Sequence, residues 1–166
     1  MTPRMRSGQQ PSGKSDWETP DGLMAALRAE FGGFGLDPCA TKATSKAIDY
    51  CGPDNGENGL LLAWSGYRNV YCNPPYGRGI GQWVQKCENE AWLGHTGLVV
   101  ALLPVATDTY WWQTWVSLAT EVRFLKGRIR FKGAAGPAPF ASAIVIWRRG
   151  MLGWHRVSYW DWKAKA

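Results

Sequence analysis

The chain has 166 residues, 45% apolar and 19% charged, and its 19 basic and 13 acidic side chains give a net charge of +6. That length suits one compact domain with its own core. No apolar run approaches the roughly 18–20 residues that a bilayer crossing needs. The polar start MTPRMRSGQQPSGKS has no apolar stretch of the kind that directs secretion, so membrane and secreted classes are set aside and a cytoplasmic protein is expected.

Residues 1–15 are polar and basic and read as a disordered tail; order is expected over 16–166 as a single domain. Thr19-Pro20 reads as a helix start, Thr19 capping and Pro20 in the first helical position. Leu23, Ala26 and Leu27 then share one face until Gly32-Gly33. Phe34-Gly35-Leu36 reads as a short buried strand that ends at the turn Asp37-Pro38-Cys39-Ala40. Residues 41–50 read as helical with Ala43, Ala47 and Ile48 inward, and 52–59 (GPDNGENG) as a loop.

Arg68 to Cys72 is an apolar strand that runs into Asn73-Pro74-Pro75-Tyr76. A helix is expected from about Gly81 to Leu93, with Trp83, Val84, Cys87, Ala91 and Trp92 in one stripe. Gly97 to Leu103 is a continuous apolar run, the mark of a strand covered on both faces. Residues 109–119 read as a helix with Asp108 as its cap. Glu121 to Phe131 reads as strand with a turn at Lys126-Gly127. Gly133 to Pro139 is a loop, Ser142 to Trp147 a buried strand, and 154–162 a candidate edge strand. Alternating strands and helices imply an α/β fold with a mostly parallel central sheet flanked by helices.

The cysteines at 39, 51, 72 and 87 contain no C-x-x-C pair and read as reduced thiols. His95 and His155 stand alone and read as surface or capping residues, so no metal is expected. Most of the eleven tryptophans read as packing, with a few available to stack on bases.

Ligands of open parallel sheets bind at the carboxyl ends of the strands. Two turns lie at such ends: Asp37-Pro38-Cys39-Ala40 and Asn73-Pro74-Pro75-Tyr76. In the second, consecutive prolines fix two φ angles and remove two N–H donors, which leaves a stiff loop rich in acceptors. Asn73 Oδ1 and the Pro74 carbonyl can accept both hydrogens of a primary amine, and Tyr76 can lie flat against the ring that bears it. An exocyclic amine conjugated to a nucleobase is a poor nucleophile. Two acceptors favour the tetrahedral nitrogen formed during attack over the planar ground state. A cytosine in DNA, an adenine in RNA or DNA, and a glutamine side-chain amide all satisfy this geometry.

Several motifs in order resemble the phage-type DNA adenine-N6 methyltransferases over roughly residues 16–147. They are Trp17-Glu18-Thr19-Pro20, Leu36-Asp37-Pro38-Cys39-Ala40, Asn58-Gly59-Leu60 followed by Trp64, and Asn73-Pro74-Pro75-Tyr76. Leu102-Leu103-Pro104, Trp111-Trp112 and Gly127-Arg128-Ile129-Arg130-Phe131 continue the series. The resemblance implies a Rossmann-like methyltransferase fold, S-adenosylmethionine as methyl donor, DNA as partner, and a host-cell cytoplasm if the chain is phage-encoded. It implies that Asn73, Pro74, Pro75 and Tyr76 are catalytic and that Asn73 also borders the cofactor. Asp37, Pro38 and Ala40 would line the cofactor site, Trp17, Thr19 and Pro20 its methionine end, and Asn58 and Leu60 the side facing its adenine. Relatives usually carry Asp where Asn58 stands, and the glycine-rich cofactor loop of many methyltransferases is replaced by Asp37-Pro38-Cys39-Ala40. No separate target-recognition domain fits the length. DNA contacts are therefore expected from short loops and from Arg123, Lys126, Arg128, Arg130 and Lys132, a run without acids that can track phosphates. The competing reading is a non-catalytic nucleic-acid-binding relative.

Overall fold

A computed structural model describes residues 17–153 and 156–164. The expected basic tail, Trp154 and His155 lie outside them. Helix α1 (Asp21–Phe31) follows Pro20, whose φ of −61° leads into it, and it ends at Gly32, where φ is +79° and the N–H returns to Arg28 O. Strands β1 (Leu36–Asp37), β2 (Asp49–Tyr50) and β3 (Asn69–Cys72) precede helix α2 (Ile80–Trp92). Strand β4 (Leu98–Pro104), helix α3 (Tyr110–Trp115) with a 3-10 turn at Val116–Leu118, and strands β5 (Glu121–Leu125), β6 (Ser142–Arg148) and β7 (Arg156–Trp160) complete the order. Among the described residues no helix is long and apolar enough to cross a membrane.

The strands form one sheet in the order β2-β1-β3-β4-β6-β5-β7. Four neighbouring pairs are parallel, and β6 runs antiparallel to both β4 and β5. The mostly parallel α/β sheet is as the sequence pattern implies. Side chains alternate between two cores. Val70, Cys72, Val99, Ala101 and Val145 pack with α2 and α3 on one face, and Tyr71, Val100, Leu102 and Ile144 pack with Leu23, Met24 and Leu27 of α1 on the other. Coverage on both faces is why β4 and β6 are unbroken apolar runs.

Three expectations fail for local reasons. Residues 41–50 form turns and the short strand β2, leaving Ala43 and Ile48 exposed and Ala47 half-buried. Their Thr, Ser and Asp neighbours satisfy the backbone in place of a helix: Asp37 Oδ2 takes Lys46 N–H, Asp54 takes Lys42 N–H, and Thr44 Oγ1 takes Thr41 N–H. Residues 128–131 are not strand, because the ladder stops at Leu125 and Gly127 turns at φ +74°. Ile129 and Phe131 still point inward while Arg128 and Arg130 face out. The strand expected at Phe34-Gly35-Leu36 pairs as Leu36–Asp37.

Neither expected helix cap forms. Pro20 occupies the N-cap of α1 without a side-chain bond, and Thr109 rather than Asp108 caps α3.

Glu90 ties α2 to the loop before β3. One carboxylate oxygen accepts Trp64 N–H at 2.9 Å and faces His95 Nδ1 at 3.0 Å, and the other pairs with Lys86 at 2.6 Å. Glu90→Ala orphans the buried Trp64 N–H and breaks a buried pair, so it should cost about 3 kcal/mol. Urea unfolding measures this, and an unchanged midpoint would contradict it.

Candidate active site at the carboxyl edge of the sheet

Strands β1, β3 and β4 are parallel neighbours, in register through Leu36↔Val70 and Cys72↔Ala101. The loops that leave β1 and β3 therefore emerge side by side. Cys39 joins them: its sulfur lies 3.6 Å from that of Cys72 and faces the Asn73 backbone N–H. All four cysteines are free thiols, and burial raises those of Cys39 and Cys72 above the usual range.

The Asn73 amide is fixed in direction. Its nitrogen donates to Trp17 O at 2.6 Å and to Thr19 Oγ1 at 3.3 Å. A backbone carbonyl can only accept, so the nitrogen must face Trp17 and the oxygen must face away. Asn73 Oδ1 is buried and has no hydrogen-bond partner among the described residues. An orphaned acceptor of this kind costs about 1–3 kcal/mol, so its persistence marks a place where a donor belongs. Tyr76 sits three residues on, with its hydroxyl donating to Leu102 O at 3.1 Å.

Aromatic rings wall the space on the α1 face. Trp17 and Tyr76 lie nearly parallel at 22° with centroids 6.3 Å apart. Phe140 packs edge-on to Tyr76 at 5.5 Å and to Trp17 at 5.4 Å, and Phe131 closes on Trp17 at 5.0 Å. Two contacts hold the Trp17–Glu18 segment over Asn73: Glu18 O accepts Lys132 N–H at 2.8 Å, and the Glu18 carboxylate pairs with Lys46 at 2.6 Å.

The Asp37 loop is built from backbone contact. Ala40 N–H donates to Cys51 O and Cys51 N–H to Asp37 O. Pro38 and Ala40 are buried. A Cβ at Gly59 would stand 2.0 Å from Pro38 O, and one at Gly52 would stand 1.8 Å from Ala40 O. Both positions therefore require glycine. Asn58 is exposed on the turn beyond, its Oδ1 accepting Leu60 N–H at 3.0 Å. Leu60 is half-buried. Asp37 is itself buried, and burial pushes its carboxyl up to about 6 although the Lys46 and Cys39 N–H groups oppose that shift.

The expected basic run divides. Arg123 is buried with its guanidinium bonded to the Glu30 and Glu121 carboxylates, which removes it from the phosphate-facing set. It lies on β5, whose face toward α1 places it beside Glu30. Lys126 is exposed, with Asp161 at 4.0 Å. Lys132 reaches Asp21 at 3.4 Å and Glu18 at 3.6 Å. Arg128 is exposed, and Arg130 leans on the Ala134 and Ala135 carbonyls. The 128–132 segment borders the aromatic wall through Phe131.

Sequence reading missed three participants. Tyr71 bonds to Thr19 at 2.6 Å, but it sits in an apolar strand that reads as core. Phe140 follows a Gly-Ala-Pro loop that gives no sign of packing. Cys39 belongs to a candidate turn, but its contact with Cys72 has no sign in the sequence. No group of three or more His, Cys, Asp or Glu placed to hold a metal ion occurs among the described residues.

A family model described as DNA N-6-adenine-methyltransferase (Dam) matches residues 6–151. No curated protein matches the chain. Among solved structures, a modification subunit assigned to a type I restriction enzyme from Vibrio vulnificus YJ016 aligns with a TM-score of 0.51 at 12% identity. The alignment covers 90% of this chain and 48% of that one. The likeness is one of fold, and the chain spans about half the length of that structure.

Asp37 generates a prediction about stability. Its folded carboxyl holds a proton more tightly than the unfolded one, for which the ordinary value is 3.8 against about 6 here. The folded state thus gains relative stability as pH falls from about 6 toward 3.8, and above 6 the buried charge is a net cost. Asp37→Asn should raise stability at pH 8 by on the order of 2 kcal/mol, with the gain vanishing near pH 4. Urea unfolding at both pH values is the measurement, and a variant less stable than the parent at pH 8 contradicts it.

Proposed function

The chain belongs to the DNA N-6-adenine-methyltransferase (Dam) family, and we propose that it transfers a methyl group from S-adenosylmethionine to the exocyclic amine of adenine in DNA. The observation that carries this reading is the buried, unpartnered Asn73 Oδ1. It faces away from the Trp17 carbonyl beside a ring wall of Tyr76, Trp17 and Phe140. Asn73 Oδ1 and the Pro74 carbonyl accept the two amine hydrogens, and Tyr76 stacks on the base. As the N–C bond forms, the nitrogen becomes tetrahedral and its acceptors bind it more strongly than the planar amine. One proton then leaves the nitrogen for water; Asn73 holds no proton in the exchange.

The donor supplies a methyl group on a sulfonium, whose leaving thioether needs no acid. The residues present fit such a cation. Asp37 is a buried carboxyl, and Lys46, the cation that acts on it, is engaged by Glu18. A positively charged ligand relieves that cost. Asp37, Pro38 and Ala40 would line the donor site with Trp17, Thr19 and Pro20 at one end and Asn58 and Leu60 at the other. Family membership favours adenine over cytosine and DNA over RNA.

One methyltransferase domain, placed in the cytoplasm, would carry out this transfer. Lys126, Arg128, Arg130 and Lys132 would then contact phosphates beside the aromatic wall. A duplex substrate must present its adenine unstacked from the helix.

Two experiments test these assignments. Incubation with unmethylated duplex DNA and methyl-labelled S-adenosylmethionine, followed by digestion to nucleosides, should place label in N6-methyladenine. No label there overturns the reading, and label in N4-methylcytosine replaces it. Asn73→Ala should lower kcat by roughly 100-fold or more while donor affinity stays within a few-fold. Separately, Arg128→Ala and Arg130→Ala should each reduce the slope of log affinity against log salt by about 1. Arg123→Ala should leave that slope unchanged but cost about 3 kcal/mol in stability.

A further inference from the structure

We infer that Thr19 and Tyr71 form a positioning pair that locks the Asn73 side chain with its oxygen toward the substrate amine. The inference rests on Asn73 Oδ1 as amine acceptor and assigns to the Thr19 hydroxyl a task beyond its place at the donor site. A primary amide offers two nearly isosteric orientations, and only one presents an acceptor. Rotation by a half-turn would bring the Asn73 oxygen against the Trp17 carbonyl, where two acceptors repel, and would point an N–H at the substrate's own donors.

Three bonds enforce the productive orientation. Trp17 O takes one amide hydrogen at 2.6 Å, and Thr19 Oγ1 takes the other at 3.3 Å. Thr19 Oγ1 is itself held by the Tyr71 hydroxyl at 2.6 Å. Thr19 and Tyr71 are fully buried, at 1% and 0% exposure, so water does not compete for these bonds. Burial also keeps the Tyr71 phenol protonated, well above its usual range. It can therefore serve as donor or acceptor in the pair but not as a base at ordinary pH.

The arrangement joins two distant parts of the chain. Tyr71 lies on β3 two residues before Asn73, which follows the end of that strand, and its hydroxyl bonds to Thr19 beside the catalytic loop. Thr19 arrives from the segment before α1, and its hydroxyl serves this site instead of capping the helix. The bonds also call for an amide at position 73. A carboxylate at position 73 has no hydrogen to give Trp17 O and would set a negative oxygen against it.

The test uses the full chain with Thr19→Val, Thr19→Ser, Tyr71→Phe and Asn73→Asp. Methyl transfer to duplex DNA, donor affinity and thermal stability are measured on each. Solvent exchange of the Asn73 side-chain NH2 is followed by NMR on the parent and the Thr19 variants. Thr19→Val should lower kcat about tenfold, with KM for DNA unchanged, and should speed exchange of the Asn73 amide. Thr19→Ser keeps the acceptor and should recover most of the rate, Tyr71→Phe should fall between them, and Asn73→Asp should lose turnover. Parental kcat and parental amide exchange in Thr19→Val would overturn the positioning role. So would equal losses in Thr19→Ser and Thr19→Val. A parent chain that transfers no methyl to adenine would overturn the functional reading instead, and the amide-exchange comparison still decides whether Thr19 holds Asn73.

Discussion

Parallel pairing of β1, β3 and β4 is the constraint from which the site follows. Hydrogen bonding in one direction obliges three strands to end at one edge, and each end carries a different chemical device. The first is a buried carboxyl in a backbone-built loop. The second is a proline-stiffened acceptor loop. The third, Leu102, supplies the carbonyl that anchors Tyr76. Because β3 lies between the other two, the acceptor loop has a neighbour on each side, and Cys39 fills the gap toward β1.

The site is completed from outside the sheet. Trp17 and Glu18 cross over Asn73, held by Lys46 and Lys132. The aromatic residues that meet there come from four separate stretches of chain, at 17, 76, 131 and 140. Such an assembly exists only when the whole fold is formed. Its polar groups carry a stability cost: Asn73 Oδ1 is unpaired among the described residues, and Asp37 is charged in a dry place at neutral pH. Fold stability comes instead from the two apolar cores and from ion pairs remote from the chemistry, such as buried Arg123 with Glu121 and Glu90 with Lys86.

Much of this was legible in the residues. Apolar runs at 97–103 and 142–147 gave buried strands, and Asn73-Pro74-Pro75-Tyr76 after an apolar strand gave the acceptor loop. What was not legible depended on partners far away in sequence. The basic residues at 123–132 look equivalent as a run, yet alternation on β5 and the position of α1 put Arg123 inside beside Glu30. The Thr/Ser-rich segment at 41–50 has helical spacing of its apolar residues, but side-chain bonds from Asp37 and Asp54 took its backbone elsewhere. Thr19 has the composition of a cap, and only the position of Tyr71 and Asn73 reveals a different use. Tyr71 reads as core because it is core; its one polar atom carries its role.

Gly52 and Gly59 press bare backbone onto the carbonyls of Ala40 and Pro38, and the residues between them are exposed. The stretch is thus pinned at both ends like a handle riveted to a wall, and in its middle Asp54 and Asn55 tie it to Lys42 N–H and Tyr50 O. Replacing either rivet pushes the Asp37 loop out of line with the acceptor loop. Positions 52 and 59 therefore leave no space for a side chain.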